Sequence, residues 1–337
     1  MNRRRPLLRL LQVGLLALVG FGIYRALAGE LARITWDDVR GLGPPSVPRL
    51  LLSTGLLLAV YLMHALLWRR ITRDIDGGSA PLRASLHVYF VSSLGRYIPG
   101  RLWQLAGLAV LAGRAGLAPS RAMAASIFGQ IAFLTTGLLF LALTLPNLAD
   151  DLGARYRGAL VNPLLLAAAL LAAVALGLWF LAATSAGRGL RDVAARRFGP
   201  RMGERVATTL RIADEVEPGR ALLWASGYAL SWLLLGTAFV LFVSAFARVP
   251  GGSIITTAGA VAASYLAGYL FILAPAGLGA RELVMGLLLG QFLSPTAALV
   301  TAVLSRVWFT VAELLPLAII PLLPRRSAVG VHPKGAL

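Results

Sequence analysis

Gly95-Arg96-Tyr97-Ile98-Pro99-Gly100-Arg101-Leu102-Trp103-Gln104 and Leu273-Ala274-Pro275-Ala276-Gly277-Leu278-Gly279-Ala280-Arg281-Glu282 interrupt two apolar stretches with proline, glycine and charge. Pro99 and Pro275 lie 176 residues apart (275 − 99), and Pro119 and Pro295 are separated by the same interval (295 − 119). The same offset pairs Tyr89 with Tyr265, Leu102 with Leu278, Leu117 with Leu293, Ser120 with Thr296 and Phe133 with Phe309. Broken apolar segments at corresponding positions of two halves mark the binding region of inverted-repeat membrane folds. Gly95, Pro99, Gly100, Pro275, Gly277 and Gly279 are the expected break residues.

Working outward, the chain has 337 residues, of which 58% are hydrophobic, and a mean hydropathy of +0.77. Soluble domains sit near half apolar. Apolar runs at 7–28, 50–68, 122–145, 159–183, 221–247 and 297–323 are each long enough to span a bilayer. The expected fold class is an all-α integral membrane protein. It would have about six full transmembrane helices plus two re-entrant helical hairpins, at 84–118 and 252–294, forming an inverted repeat. Repeat one covers about 84–146 and repeat two about 254–323, within one transmembrane domain spanning 1–337. Arg3-Arg4-Arg5 before the first run reads as a retained signal anchor.

Cysteine is absent and only three histidines occur, His64, His87 and His332, so thiol chemistry and a metal cluster are not expected. His64 and His87 read as polar packing residues. The net charge of +18 is carried almost wholly by arginine, Lys334 being the only lysine. Arginines cluster at the ends of apolar runs and form no compact basic domain, which argues against nucleic acid and for a positive-inside bias. Arg3–Arg5, Arg69, Arg70, Arg73, Arg83, the basic linker 184–220 and Arg325-Arg326 all fall on one side if 84–118 and 252–294 each return to the face they entered. That places the protein in the cell membrane with both termini cytoplasmic. Three crossings then separate the hairpins, an odd number, so the repeats have opposite orientation.

Ionisable residues at membrane depth are costly and mark function. Arg96, Arg101, Arg281 and Glu282 flank the breaks, and Arg306 and Glu313 share one face of the last crossing. Four cations face two anions. Once both glutamates pair with arginines, two guanidiniums remain, and their planar forks suit phosphate oxygens. Trp103, Gln104 and Gln130 could add a stacking surface and amides. A plainer reading is that Arg96 and Arg101 reach interfacial water and that Arg281-Glu282 is a structural ion pair. No cofactor is implied. A lone lysine cannot complete a nucleotide-binding Gly-x-x-x-x-Gly-Lys loop, so nucleotide-driven transport is not expected.

The Gly-Arg-x-x-Pro-Gly-Arg core of 95–101 and the Pro-x-Gly-x-Gly-x-Arg-Glu pattern of 275–282 resemble the lysylphosphatidylglycerol synthase transmembrane region, a flippase-like family. The likeness covers about residues 10–323. It implies a domain that moves an anionic lipid between leaflets, here expected without a synthase domain. Ala276 stands where glycine is frequent. The resemblance implies a membrane lipid with a phosphate head group as ligand and a neighbouring lipid-modifying enzyme as a further candidate partner. The expectation is a lipid translocase rather than an enzyme. The alternatives are a membrane enzyme acting on a polyprenyl (pyro)phosphate and a non-transporting partner of a lipid- or glycan-assembly enzyme.

Overall fold

A computed structural model describes residues 44–76, 78, 80–97, 102–151, 216–270, 277 and 279–320. All regular structure among these residues is helical. The helices are α1 (Val47–Asp76), α2 (Leu82–Ser93), α3 (Leu102–Arg114), α4 (Pro119–Asp151), α5 (Pro218–Phe246), α6 (Ile254–Leu270), α7 (Ala280–Leu289) and α8 (Pro295–Ile319). Four of them, α1, α4, α5 and α8, are long and apolar enough to cross a membrane. The expected crossings at 7–28 and 159–183, and linker residues 184–215, lie outside the described residues. Arg220, assigned to that linker by sequence, instead sits in the first turn of α5.

Proline sets the starts of the long helices. Pro218 and Pro295 occupy first-turn positions, where the missing N–H costs nothing. Ser294 caps α8, its hydroxyl oxygen accepting from the Ala297 N–H at 3.2 Å. Between the long helices lie two pairs of shorter ones, α2 with α3 and α6 with α7, each packed side by side. With 12 and 13 residues, α2 and α3 are each about 18–20 Å long, short of a hydrocarbon core of about 30 Å. With 10 residues, α7 is shorter still. The breaks that sequence places at Pro99 and Pro275 fall between the paired helices, although Pro99, Gly100, Arg101 and Pro275 themselves lie outside the described residues.

The 176-residue correspondence extends beyond the motifs. Helices α1–α4 are followed in the same order by α5–α8, with Pro119 and Pro295 each opening the last helix of its set. Exchanging the two sets leaves the pattern of substantial helix contacts unchanged. For example, α4 packs on α6 as α8 packs on α2, and α5 on α4 as α1 on α8. The contact between α1 and α5 is its own mate, and these helices run antiparallel. At one end Ser46 N–H donates to Ala245 O (2.8 Å) and Arg49 to Ser244 O (2.7 Å). At the other, Trp224 Nε1 donates to Asp74 Oδ2 at 2.9 Å.

In lipid the hydrophobic effect does not drive one helix onto another, so packing and hydrogen bonds must. Four buried tryptophans meet that need. Trp68 on α1 donates to Ala122 O of α4, Trp224 on α5 to Asp74 of α1, Trp232 on α5 to Phe133 O of α4, and Trp308 on α8 to Thr54 of α1. Each indole thus joins two long helices while satisfying its own N–H. The outward faces carry Leu51, Leu62, Leu143, Leu222, Leu233 and Val307, which suit acyl chains.

Two break residues are held by close backbone approach. Gly277 has φ 71°, and a Cβ there would sit 2.7 Å from the Gly268 Cα. A Cβ on Gly95 would sit 2.5 Å from the Gln104 N at the start of α3. Gly277→Ala is therefore expected to destabilise the purified protein by about 1–3 kcal/mol, from strain in the left-handed region plus collision. Gly107→Ala, with nothing within 4 Å of the added carbon, is expected to leave thermal unfolding unchanged or slightly raised. Equal melting of the two variants would contradict the close-approach account.

Candidate functional site

Every one of the eight helices contributes to a cavity of about 130 Å³ between the two sets. It is much smaller than the several hundred Å³ that enclose whole drug-sized ligands.

Its walls follow the 176-residue offset. Tyr89 and Tyr265 both line it, as do Phe133 and Phe309, and Gln130 shares the role with its counterpart Arg306. The cavity therefore lies where the two sets of helices meet, lined by matched positions of both. Val60 and Leu235, near the middle of the antiparallel α1–α5 crossing, line it too. Aromatic packing makes the walls stiff. Phe133 stacks on Trp232 with centroids 4.5 Å apart and meets Tyr265 edge-on at 5.4 Å.

The charges are not symmetric. Arg96, in the 3-10 turn Leu94–Tyr97 that ends the first short helix, reaches across to α8. Its Nε lies 3.2 Å from Glu313 Oε1 and donates to the Ser93 carbonyl at 3.1 Å. Glu313 is 6% exposed, against 25% for Arg96. A carboxylate buried to that degree inside a helical bundle needs its cation.

Glu282 has two tasks. One carboxylate oxygen accepts from the Gly279 N–H at 2.7 Å, closing the first turn of α7. The other lies 3.9 Å from Arg306 Nε, a long ion pair. Gly279 adopts φ 85°, the left-handed region that glycine enters without strain. The adjacent Arg281-Glu282 do not form the local ion pair that a plain reading of the motif suggests, because Glu282 turns back to cap its own helix.

Arg281 is the distinctive group. Among the described residues it enters no ion pair with a carboxylate. Its guanidinium lies 4.4 Å from the Tyr265 ring centroid and 4.8 Å from that of Phe309, a cation–π arrangement. Gly268 makes this possible, since a Cβ there would strike the Arg281 side-chain stem. Rings on two sides hold the guanidinium in place and leave its N–H groups for another acceptor. Three guanidiniums, of Arg96, Arg281 and Arg306, thus face two carboxylates around one cavity.

Of the residues expected from sequence, Arg96, Gln104, Gln130, Arg281, Arg306 and Glu313 line the cavity together. Glu282 reaches it through Arg306. Trp103 does not join them. It is 54% exposed on α3, where an outward indole meets lipid or the interface. Arg101 lies outside the described residues. Reading charges alone passes over the aromatic walls and His64, which line the cavity too. The repeat offset carried the signal for Tyr89, Tyr265, Phe133 and Phe309. No group of metal-ligating side chains occurs among the described residues.

This arrangement is that of a multi-pass membrane protein with a charged, aromatic-walled pocket enclosed by helices. The chain belongs to the family described as the lysylphosphatidylglycerol synthase TM region, whose model matches residues 10–315. That family is a membrane region linked to lipid handling. No curated protein shows significant similarity to the chain.

The Arg96–Glu313 pair makes a sharp energetic expectation. Glu313→Ala leaves a guanidinium facing its vacated partner and is expected to cost about 2–3 kcal/mol of stability, toward the low end for buried pairs because Arg96 is partly exposed. In a double-mutant cycle, Arg96→Ala with Glu313→Ala should be less destabilising than the two single changes added together. Additive effects on unfolding would mean the two residues do not interact.

Proposed function

We propose that this protein is a lipid translocase, not an enzyme, and that it moves lipids with phosphate-bearing head groups between leaflets of the cell membrane. The observation that carries this reading is Arg281, a guanidinium fixed by two aromatic rings and joined in no ion pair among the described residues, facing a cavity of about 130 Å³ inside a membrane protein. Arginine presents a planar fork that meets two phosphate oxygens at once.

In this reading the two halves form an inverted repeat, and the short helix pairs are re-entrant hairpins approaching from opposite faces. The antiparallel course of α1 and α5 and the exchangeable contact pattern support it. Both termini lie in the cytoplasm, as arginine placement suggests. The phosphate enters the cavity and binds Arg281, while the chains remain in the bilayer. Glu313 and Glu282 hold Arg96 and Arg306 when the site is empty. As phosphate arrives, these arginines exchange carboxylate for phosphate oxygens. The site then carries little net charge in the loaded state, which lowers the cost of crossing. Rocking the halves about their pseudo-twofold relation exposes the same cavity to either leaflet. With no nucleotide-binding loop in the sequence, movement follows the lipid gradient or is coupled to an ion or to the membrane potential.

Leaflet exchange of labelled phosphatidylglycerol, a prenyl phosphate and a zwitterionic phospholipid in proteoliposomes tests this. The wild-type protein is expected to speed exchange of an anionic lipid. Arg281→Gln should slow it at least about tenfold, since one charge-assisted hydrogen bond is worth about 1.5–3 kcal/mol. Arg281→Lys should retain part of the rate. Unchanged exchange in Arg281→Gln would contradict the assignment. No exchange of any lipid by folded wild-type protein would favour an enzyme acting on a prenyl phosphate, or a non-transporting partner.

A further inference from the structure

We infer that His64 reads a hydroxyl group beside the phosphate, so that the site selects a phosphate ester whose head group also carries an alcohol. This rests on the translocase reading and names the chemistry of its substrate. The argument begins with Ser231, fully buried on α5. Its hydroxyl donates to the Tyr228 carbonyl at 2.7 Å. A hydroxyl has one hydrogen to give, so satisfying both contacts at once assigns the proton between Ser231 Oγ and His64 Nε2, 2.9 Å apart, to the ring. That assignment puts the proton of the neutral imidazole on Nε2 and makes Nδ1 an acceptor.

Nδ1 has no hydrogen-bond partner among the described residues, while the ring lines the same cavity as Arg281. The ring is also held in place. It meets Phe133 edge-on with centroids 5.0 Å apart and lies 5.3 Å from the Tyr228 ring. Phe133 in turn meets Tyr265, on which Arg281 rests. Two rings therefore separate the acceptor on one wall from the guanidinium on the other. The arginines supply donors for phosphate oxygens. A bare phosphate diester has no hydrogen to offer an acceptor such as Nδ1, and a hydroxyl on the head group does.

The test compares phosphatidylglycerol with phosphatidylmethanol, two singly charged phosphate diesters that differ in head-group hydroxyls. Leaflet exchange is measured in proteoliposomes containing the full chain. Wild-type protein is expected to move phosphatidylglycerol about tenfold faster, the worth of one net hydrogen bond. His64→Phe keeps the ring contacts but has no acceptor. It should bring the ratio close to one, chiefly by slowing phosphatidylglycerol. If that variant does not fold, Ser231→Ala substitutes for it. Removing the serine oxygen lets the ring proton shift to Nδ1 and should also lower the ratio. Equal rates for the two lipids in wild type, or an unaltered ratio in the variant, would overturn the inference and leave the translocase reading standing.

If wild type moves neither lipid, the translocase reading fails and calorimetric binding to the solubilised protein decides. Tighter binding of glycerol 3-phosphate than of methyl phosphate, lost in His64→Phe, would keep the hydroxyl site for a soluble phosphate ester. Equal binding would remove it.

Discussion

Lipid supplies no hydrogen bonds, so broken backbone and charge can exist at membrane depth only where protein surrounds them. The architecture depends on that constraint. The short helices α2, α3 and α7, each shorter than a hydrocarbon core, pack against longer helices of the bundle. The four tryptophan N–H groups bridge helices because an unpaired indole donor has no water to turn to. The same condition places Arg96, Arg281 and Arg306 on the inside, facing one another across a cavity, with leucines and valines outside.

The two halves share their frame but not their chemistry. Tyr89 matches Tyr265 and Phe133 matches Phe309, so aromatic walls come equally from both. At the positions of Arg306 and Glu313, however, the first half has Gln130 and Gly137. The glycine gives its space to Trp232, whose ring would collide with any Cβ there. One half thus donates most of the charge and the other packing room. Arg281 on α7 and Arg306 on α8 accordingly have no charged counterpart at the matching positions of the first set, Leu105 and Gln130.

Much of this was legible in the sequence, for physical reasons. Apolar length forecast α1, α4, α5 and α8, and the paired prolines Pro99 and Pro275 marked the gaps between the short helices, because a missing N–H and a fixed φ constrain the chain wherever they occur. Of the six charges expected at membrane depth, Arg96, Arg281, Arg306 and Glu313 line the cavity, because such charges have few other places to be. Trp103 escaped this logic, since an indole is equally at home against lipid. His64 was read as a polar packing residue, because a neutral histidine announces neither charge nor apolarity and its contact with Ser231 joins positions 167 residues apart. Glu282 was read as an arginine's partner, and it lies 3.9 Å from Arg306, while its second task, capping α7 through the Gly279 N–H, depends on backbone geometry that spacing does not reveal.

The central claim is that the guanidinium of Arg281 is a phosphate site within the bundle. An experimental structure of the protein in lipid nanodiscs rich in phosphatidylglycerol tests it most directly. The account predicts a phosphate group about 3 Å from the Arg281 nitrogens, inside the cavity, with its chains leaving between helices toward lipid. Phosphates confined to the outer surface, with only water beside Arg281, would contradict it.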